Sequence, residues 1–179
     1  MHSDIKKILV TEEEINARAV ELGKKITADY GARGELPLVV ALLKGSVPFM
    51  AELIKHIDLD IQIDFMDVSS YEGTESIGDI HIIKDLDASI QGVDILLVED
   101  IVDTGRTIDT VSKMLLHKGA RSVRVATLLD KPSRRVVELK PEYVGFQVEN
   151  EFVVGYGMDF NQKYRNLPYI GVLKDECYQ

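Results

Sequence analysis

Apolar positions along the chain follow two periods. Ile15, Ala19, Leu22 and Ile26 recur at helical spacing behind Thr11 and Glu14, which form a capping-box pair, and Gly31 and Gly34 end that helix. Leu36 to Leu43 is an apolar run broken only by Pro37 and reads as a buried strand. Lys44-Gly45-Ser46 follows as a loop, and from Val47 a second helix carries Met50, Leu53, Ile54 and Ile57. Ile61, Ile63 and Phe65 alternate with Gln62 and Asp64, the period of a half-buried strand. Ser69 to Asp79 has no periodicity and reads as an exposed, mobile loop before a strand near Ile80 to Lys84. Loops of that length in compact domains are often lids or binding loops. Asp94 to Glu99 is the clearest buried strand. It is followed by a loop from Asp100 to Arg106 and a helix through Ile108, Val111, Leu115 and Leu116 that ends near Lys118-Gly119. Val123, Val125 and Leu128 mark a further strand, and shorter ones follow around 143–148, 152–154 and 169–173.

Strands alternating with helices in this order predict an α/β fold with a largely parallel sheet. Ligands of such sheets sit at the carboxyl ends of the strands. The loops at 44–46, 100–107 and 130–135 each follow a strand and should therefore face one crevice. No repeat, low-complexity segment or interdomain linker divides residues 1–179, which predicts a single domain.

Composition narrows the function. Hydrophobic residues make up 45% of the 179 positions, enough for a sizeable core. Lys and Arg number 21 against 30 Asp and Glu, and the net charge of -9 argues against a nucleic-acid or anionic-membrane binder. Trp is absent, and with aromatics at 7% there is little scope for a wide base-stacking surface. The one cysteine, Cys177, excludes a disulfide framework and a cysteine-based zinc site. The polar start Met-His-Ser-Asp-Ile-Lys-Lys and the lack of a long apolar run predict a cytoplasmic protein with no membrane partner.

The most informative segment is Glu99-Asp100-Ile-Val-Asp103-Thr104-Gly105-Arg106-Thr107. Its carboxylates stand at the end of an apolar strand, where like charges raise one another's pKa unless something compensates. Backbone N–H groups at the start of the next helix make a nest for an anion, and the Thr104 and Thr107 hydroxyls can donate to phosphate oxygens. An Asp-x-x-Asp pair alone can do no more than shape a turn and cap the helix. Together with the preceding strand and the Thr-Gly-x-Thr cradle, it describes a ribose-5-phosphate site. Neither a Gly-x-x-x-x-Gly-Lys-Ser/Thr loop nor a Gly-x-Gly-x-x-Gly turn occurs, which weakens the P-loop and dinucleotide readings.

The run from Val98 to Thr107 resembles the phosphoribosyl-diphosphate-binding signature of the type I phosphoribosyltransferases. Leu43-Lys44-Gly45-Ser46 resembles the pyrophosphate loop of their hypoxanthine-guanine branch, and Ser69-Ser70-Tyr71 its mobile catalytic loop. Leu128 to Lys131, Glu151 to Asp159 and Tyr164 to Pro168 resemble its base-binding half. The similarity covers nearly the whole chain. It implies a twisted, largely parallel sheet flanked by helices, with a small hood built from terminal segments.

The resemblance also implies residue roles. Glu99 and Asp100 engage the ribose hydroxyls and the magnesium environment. Asp103 is the proton-transfer residue near N7 of the base. Asp103, Thr104, Gly105, Arg106 and Thr107 cradle the 5-phosphate. Lys44, Gly45 and Arg165 bind pyrophosphate, often with a cis peptide before the lysine. Lys131 donates to the 6-oxo group, Phe152 stacks on the purine, Val153 offers backbone contacts, and Asp159 helps hold a second magnesium. Ser70 and Tyr71 belong to the mobile loop.

The implied cofactor is Mg²⁺, and the implied partners are 5-phosphoribosyl diphosphate and a 6-oxopurine, with no nucleic acid. The implied assembly is a homodimer or homotetramer. The implied reaction is transfer of the phosphoribosyl group to hypoxanthine or guanine. A xanthine-preferring homologue is the nearest rival. A nucleotide-sensing RNA-binding regulator on the same fold is the rival from another class, and the acidic balance argues against it.

Overall fold

The computed structural model describes residues 1–70 and 80–178. Tyr71 and the rest of the expected mobile loop to Asp79 lie outside the described residues. Nine strands and three α-helices follow one another among the described residues as β1 (Ile5–Val10), α1 (Glu12–Gly31), β2 (Leu38–Leu42), α2 (Val47–Leu53), β3 (Gln62–Ser70), β4 (Ile80–Lys84), β5 (Asp94–Val102), α3 (Arg106–His117), β6 (Ser122–Asp130), β7 (Tyr143–Gln147), β8 (Val153–Val154) and β9 (Ile170–Leu173). They form two sheets, one of six strands in the order β4-β3-β2-β5-β6-β7 and one of three in the order β1-β9-β8.

In the large sheet only the β3–β4 pair is antiparallel. Its central strands read as continuous apolar runs because both faces are covered. Val39, Ala41, Leu96 and Val98 face α1 and α2, meeting Ile15, Leu22, Ile26, Phe49 and Leu53. Val40, Leu42, Ile95 and Leu97 face the other way, against Ile108, Val111 and Leu115 of α3. Each side chain alternates between the two layers, so a one-residue slip would exchange them.

The expected caps form. Thr11 Oγ1 accepts from the Glu14 N–H at 3.2 Å, and the Glu14 carboxylate accepts from the Thr11 N–H at 2.8 Å. Other boundaries differ from the expectation. The second helix stops at Leu53, a 3-10 turn covers Ile54–His56, and Ile57 is extended. β5 runs on through Glu99 and Asp100 to Val102, so the loop after it is shorter than 100–106. β6 pairs in parallel with β5 as far as Asp130, and that ladder carries the strand onward. Ser69 and Ser70 stand in β3, opposite His81 and Ile80 of β4, and not in the loop. Ile63, expected inside, is 50% exposed.

The small sheet is the hood. β1 and β9 join the two ends of the chain, with Ile5 opposite Leu173 and Val10 opposite Ile170, and β8 adds Val153 opposite Val172. The hydrophobic pattern did not announce β1. Two register irregularities in its pairing with β9 break the alternation of Ile5, Ile8 and Val10.

Candidate active site

The parallel direction of β2, β5 and β6 brings three connections to one edge of the sheet. These are 43–46, 103–105 and 131–135. The Leu43–Lys44 peptide bond is cis. Ser46 anchors this turn from a fully buried position by donating its hydroxyl to the Leu42 carbonyl. Lys44 is exposed at the edge.

Gly45 lies so close to β5 that a Cβ there would fall 1.7 Å from Oδ2 of Asp100. Gly157 of the hood lies as close to Gly45, and its Cβ would fall 2.0 Å from the Gly45 carbonyl oxygen. Its φ of +99° is in the left-handed region, which glycine adopts without strain. Two glycines therefore let the 43–46 turn approach the Asp100 side chain of β5 on one side and the hood backbone at Gly157 on the other.

Glu99, Ile101, Val102, Asp103, Thr104, Gly105, Thr107 and Ile108 line a cavity of about 150 Å³. Gly105, with φ +83°, is the N-cap of α3, so the helix dipole and the first free N–H groups point toward this space. Arg106 is exposed beside it. Asp103 is half-buried, and its Oδ1 accepts from Nε of Arg134 at 3.0 Å. Arg135 donates to the Asp103 carbonyl at 2.9 Å and pairs with the buried Asp130. These two arginines were missed as site residues. Their signal was the basic pair Arg134-Arg135 after Pro132, whose contacts with Asp103 span about thirty residues.

Lys131 is 6% exposed. Its N–H donates to the Val102 carbonyl at 3.0 Å, and its Nζ reaches the hood to donate to the Glu151 carbonyl at 2.8 Å. Burial pushes the ammonium down, and the charges of Asp103 and Glu151 oppose that shift. This lysine is not a surface residue of the turn. Phe152, the residue after Glu151, is 37% exposed, while Val153 is buried. Arg165 pairs with Asp159 at 2.8 Å and donates from its other terminal nitrogen to the Gly157 carbonyl at 2.7 Å. Asp159 also accepts from the Gln162 N–H at 2.8 Å.

Glu99 and Asp100 form an uncompensated acidic pair. Burial first, and the adjacent Asp100 charge second, push the Glu99 carboxyl well above the usual range. The ion pairs of this edge are Arg134–Asp103, Arg135–Asp130 and Arg165–Asp159, so none of them neutralises Glu99 or Asp100 among the described residues. No group of three or more His, Cys, Asp or Glu able to hold a metal gathers among the described residues. The expected ligands Glu99, Asp100 and Asp159 therefore do not form a cage. Magnesium takes one or two carboxylates together with substrate oxygens and water, and an uncompensated pair of acids fits that need.

No helix among the described residues is long and apolar enough to cross a membrane. Comparison with known proteins identifies the family. Residues 8–161 match the model of the phosphoribosyl transferase domain. The chain is 54% identical over 179 residues to the hypoxanthine-guanine phosphoribosyltransferase of Streptococcus agalactiae serotype V, covering 99% of this chain and 98% of that protein. It is 52% identical to the bifunctional protein TilS/HprT of Listeria monocytogenes serotype 4b, of whose length it spans 27%. The crystal structure of a hypoxanthine phosphoribosyltransferase from Staphylococcus aureus superposes with a TM-score of 0.95 at 50% identity, covering 100% of this chain and 97% of that one. The matching domain model, the 54% identity over nearly the full length of both chains and the shared fold show that the chain belongs to the hypoxanthine-guanine branch of the phosphoribosyltransferase family.

Proposed function

We propose that the protein works in purine salvage, transferring the 5-phosphoribosyl group of 5-phosphoribosyl 1-diphosphate to N9 of hypoxanthine or guanine. The products are IMP or GMP and pyrophosphate. The observation that carries this reading is Lys131, a buried ammonium whose one acceptor among the described residues is the Glu151 backbone carbonyl, at the junction of cradle and hood. An ammonium only donates, so a 6-oxo group satisfies it and a 6-amino group does not.

The reaction breaks the bond from the anomeric carbon to the diphosphate oxygen and forms one to N9. Positive charge grows on the ribose ring and negative charge on the leaving group. The nest at the start of α3, with Thr104 and Thr107, holds the 5-phosphate and fixes the ring. Lys44, the Gly45 backbone and Arg165 receive the pyrophosphate, whose developing charge they stabilise. Glu99 and Asp100 would hold a magnesium ion with substrate oxygens and Asp159 a second, the ions neutralising the diphosphate as it leaves. Asp103 takes the proton that the imidazole ring of the base gives up. Phe152 and the Val153 backbone seat the purine, and Tyr71, just past Ser70 at the end of β3, belongs to a loop that excludes water from the donor.

Two further readings complete the proposal. The protein acts in the cytoplasm, a reducing compartment that suits its single free cysteine. It assembles as a homodimer or homotetramer, a reading supported by Ile63 and Ile83, exposed by 50% and 60% on β3 and on the edge strand β4 beside it.

The test supplies the donor and magnesium with hypoxanthine, guanine, xanthine and adenine in turn, and follows nucleotide and pyrophosphate. IMP and GMP should appear in step with pyrophosphate, and EDTA should stop both. Release of pyrophosphate with no nucleotide, or a preference for adenine, would overturn the reading.

A further inference from the structure

The last described turn of the chain reaches the base platform. Tyr178 stacks on Phe152 with ring centroids 4.7 Å apart and planes at 18°. Phe160 meets the same ring edge-on, at 5.5 Å and 89°. The phenylalanine is anchored along its backbone as well, because its carbonyl accepts the Leu173 N–H at 2.9 Å. What the two neighbouring rings leave uncovered, 37% of the residue, is the surface on which a planar base can stack.

The brace is itself held. The Tyr178 hydroxyl donates to Oδ1 of Asp175 at 2.7 Å, and its N–H donates to the Asp175 carbonyl at 3.2 Å. The turn that carries it is tied back to the start of the chain, since the Lys174 N–H donates to the Asp4 carbonyl at 2.9 Å and the Asp4 carboxylate accepts from the Tyr164 hydroxyl at 2.8 Å.

We infer that Tyr178 is a positioning residue for the purine, backing the Phe152 ring so that its free surface is presented in one orientation. The inference rests on the reading of Phe152 as the base platform. A phenylalanine at a partly open surface samples several orientations, and a base that stacks on it must freeze them. A ring already stacked from behind has lost that freedom before the base arrives. Offset-stacked aromatic pairs are worth enough to change an equilibrium roughly 2- to 12-fold. The effect falls on base binding alone. The donor is held by the cradle at α3 and by the 43–46 turn, whereas the stacking and side-chain hydrogen-bond partners of Tyr178 are Phe152 and Asp175.

The experiment measures kcat and both KM values for hypoxanthine and 5-phosphoribosyl diphosphate in five proteins, namely wild type, Tyr178→Ala, Tyr178→Phe, Phe152→Leu and Asp175→Ala. Tyr178→Ala should raise the hypoxanthine KM roughly 3- to 10-fold, by the stacking energy lost. The donor KM and kcat should stay within about twofold of wild type. Tyr178→Phe keeps the stack and should restore the hypoxanthine KM. Asp175→Ala, which frees the hydroxyl and leaves the ring, should move the KM in the same direction by less and serves where Tyr178→Ala folds poorly.

An unchanged hypoxanthine KM in Tyr178→Ala, with a raised one in Phe152→Leu, overturns the brace and leaves the platform standing. An unchanged KM in Phe152→Leu overturns the platform and the brace with it. A lower KM in Tyr178→Ala shows that the tyrosine occupies the base's own place, and equal losses in both KM values show a general structural role. Either result overturns the inference.

Discussion

Nε of Arg134 stands 3.0 Å from Oδ1 of Asp103, so the carboxylate nearest the expected chemistry is already engaged by a cation from the turn after β6. The contact ties the segment after β5 to the turn after β6. It also makes Asp103→Asn a clean probe, because the amide oxygen of Asn can still accept from Arg134. Shape and the bridge survive, and the capacity to take a proton does not. The variant should lose roughly 10²- to 10⁴-fold in kcat with donor affinity largely kept. Pre-steady-state measurement of nucleotide formation, alongside donor binding by calorimetry, separates the two. Wild-type kcat would remove Asp103 from the proton transfer.

Lys131 predicts the order of base use. With its ammonium buried, adenine would set two amino hydrogens against a donor whose acceptor among the described residues is the Glu151 carbonyl. Sites built on such a bond reject the wrong group by ~10⁴-fold or more. Lys131→Ser should lower kcat/KM for hypoxanthine and guanine and narrow the gap to adenine. Equal loss for all three bases would make the lysine structural and move base choice to the backbone around Val153.

Gly45→Ala should cripple the enzyme without unfolding it. The new methyl would overlap Oδ2 of Asp100, so either the pyrophosphate turn or the acidic side chain must move. Displacement of a reacting group by about 1 Å can cost on the order of 10²-fold in rate. The loss should appear in kcat/KM for the donor, with a thermal midpoint near wild type. Full activity would show that the turn is free to retreat and that the close approach is incidental.

Acid stability is predicted by a carboxylate at the opposite end of the sheet. Asp94 at the start of β5 is 2% exposed and accepts from Nε of Arg121 at 3.0 Å and from the Ser122 hydroxyl at 2.7 Å. The Arg121 hydrogen bond, ahead of the Ser122 one, holds its pKa below the ordinary 3.8. A depressed carboxylate stabilises the fold above its unfolded pKa and loses that contribution as pH falls through the lower folded value. Urea unfolding from pH 6 to pH 2 should therefore show wild type well above Asp94→Asn near neutrality, with the two curves converging below about pH 3.8. A constant gap across that range would mean that protonation of Asp94 is not what acid removes.

Much of this arrangement was legible in the residues, for physical reasons that differ from place to place. The central strands announced themselves because both faces are buried, as with Leu96 and Leu97 pointing into opposite layers. The capping box at Thr11 and Glu14 and the acid-rich end of β5 are local signals, and both sit where their spacing put them. Long-range pairing was not legible. Arg134 and Arg135 look like an ordinary basic pair until the fold sets them against Asp103, about thirty residues away. Ile63 follows the inward period yet stands exposed on β3, next to the edge strand, where alternation alone cannot say what covers a face. β1 escaped notice because its partner lies at the far end of the chain.

That last pairing has a consequence for how the molecule is made. The cradle, the pyrophosphate turn and the β5–β6 ladder come from a stretch that can assemble as soon as β6 has left the ribosome. The hood cannot, because Ile5 waits for Leu173, a partner separated by almost the whole chain. Closing so long a loop is slow relative to local pairing. A nascent chain should thus own its phosphate-binding half before its base-binding half, and pulse-labelled hydrogen exchange during refolding should protect amides of β5 and β6 ahead of those of β1 and β9. Simultaneous protection of all four strands would mean that the ends find each other early, and that the two halves of the site are born together.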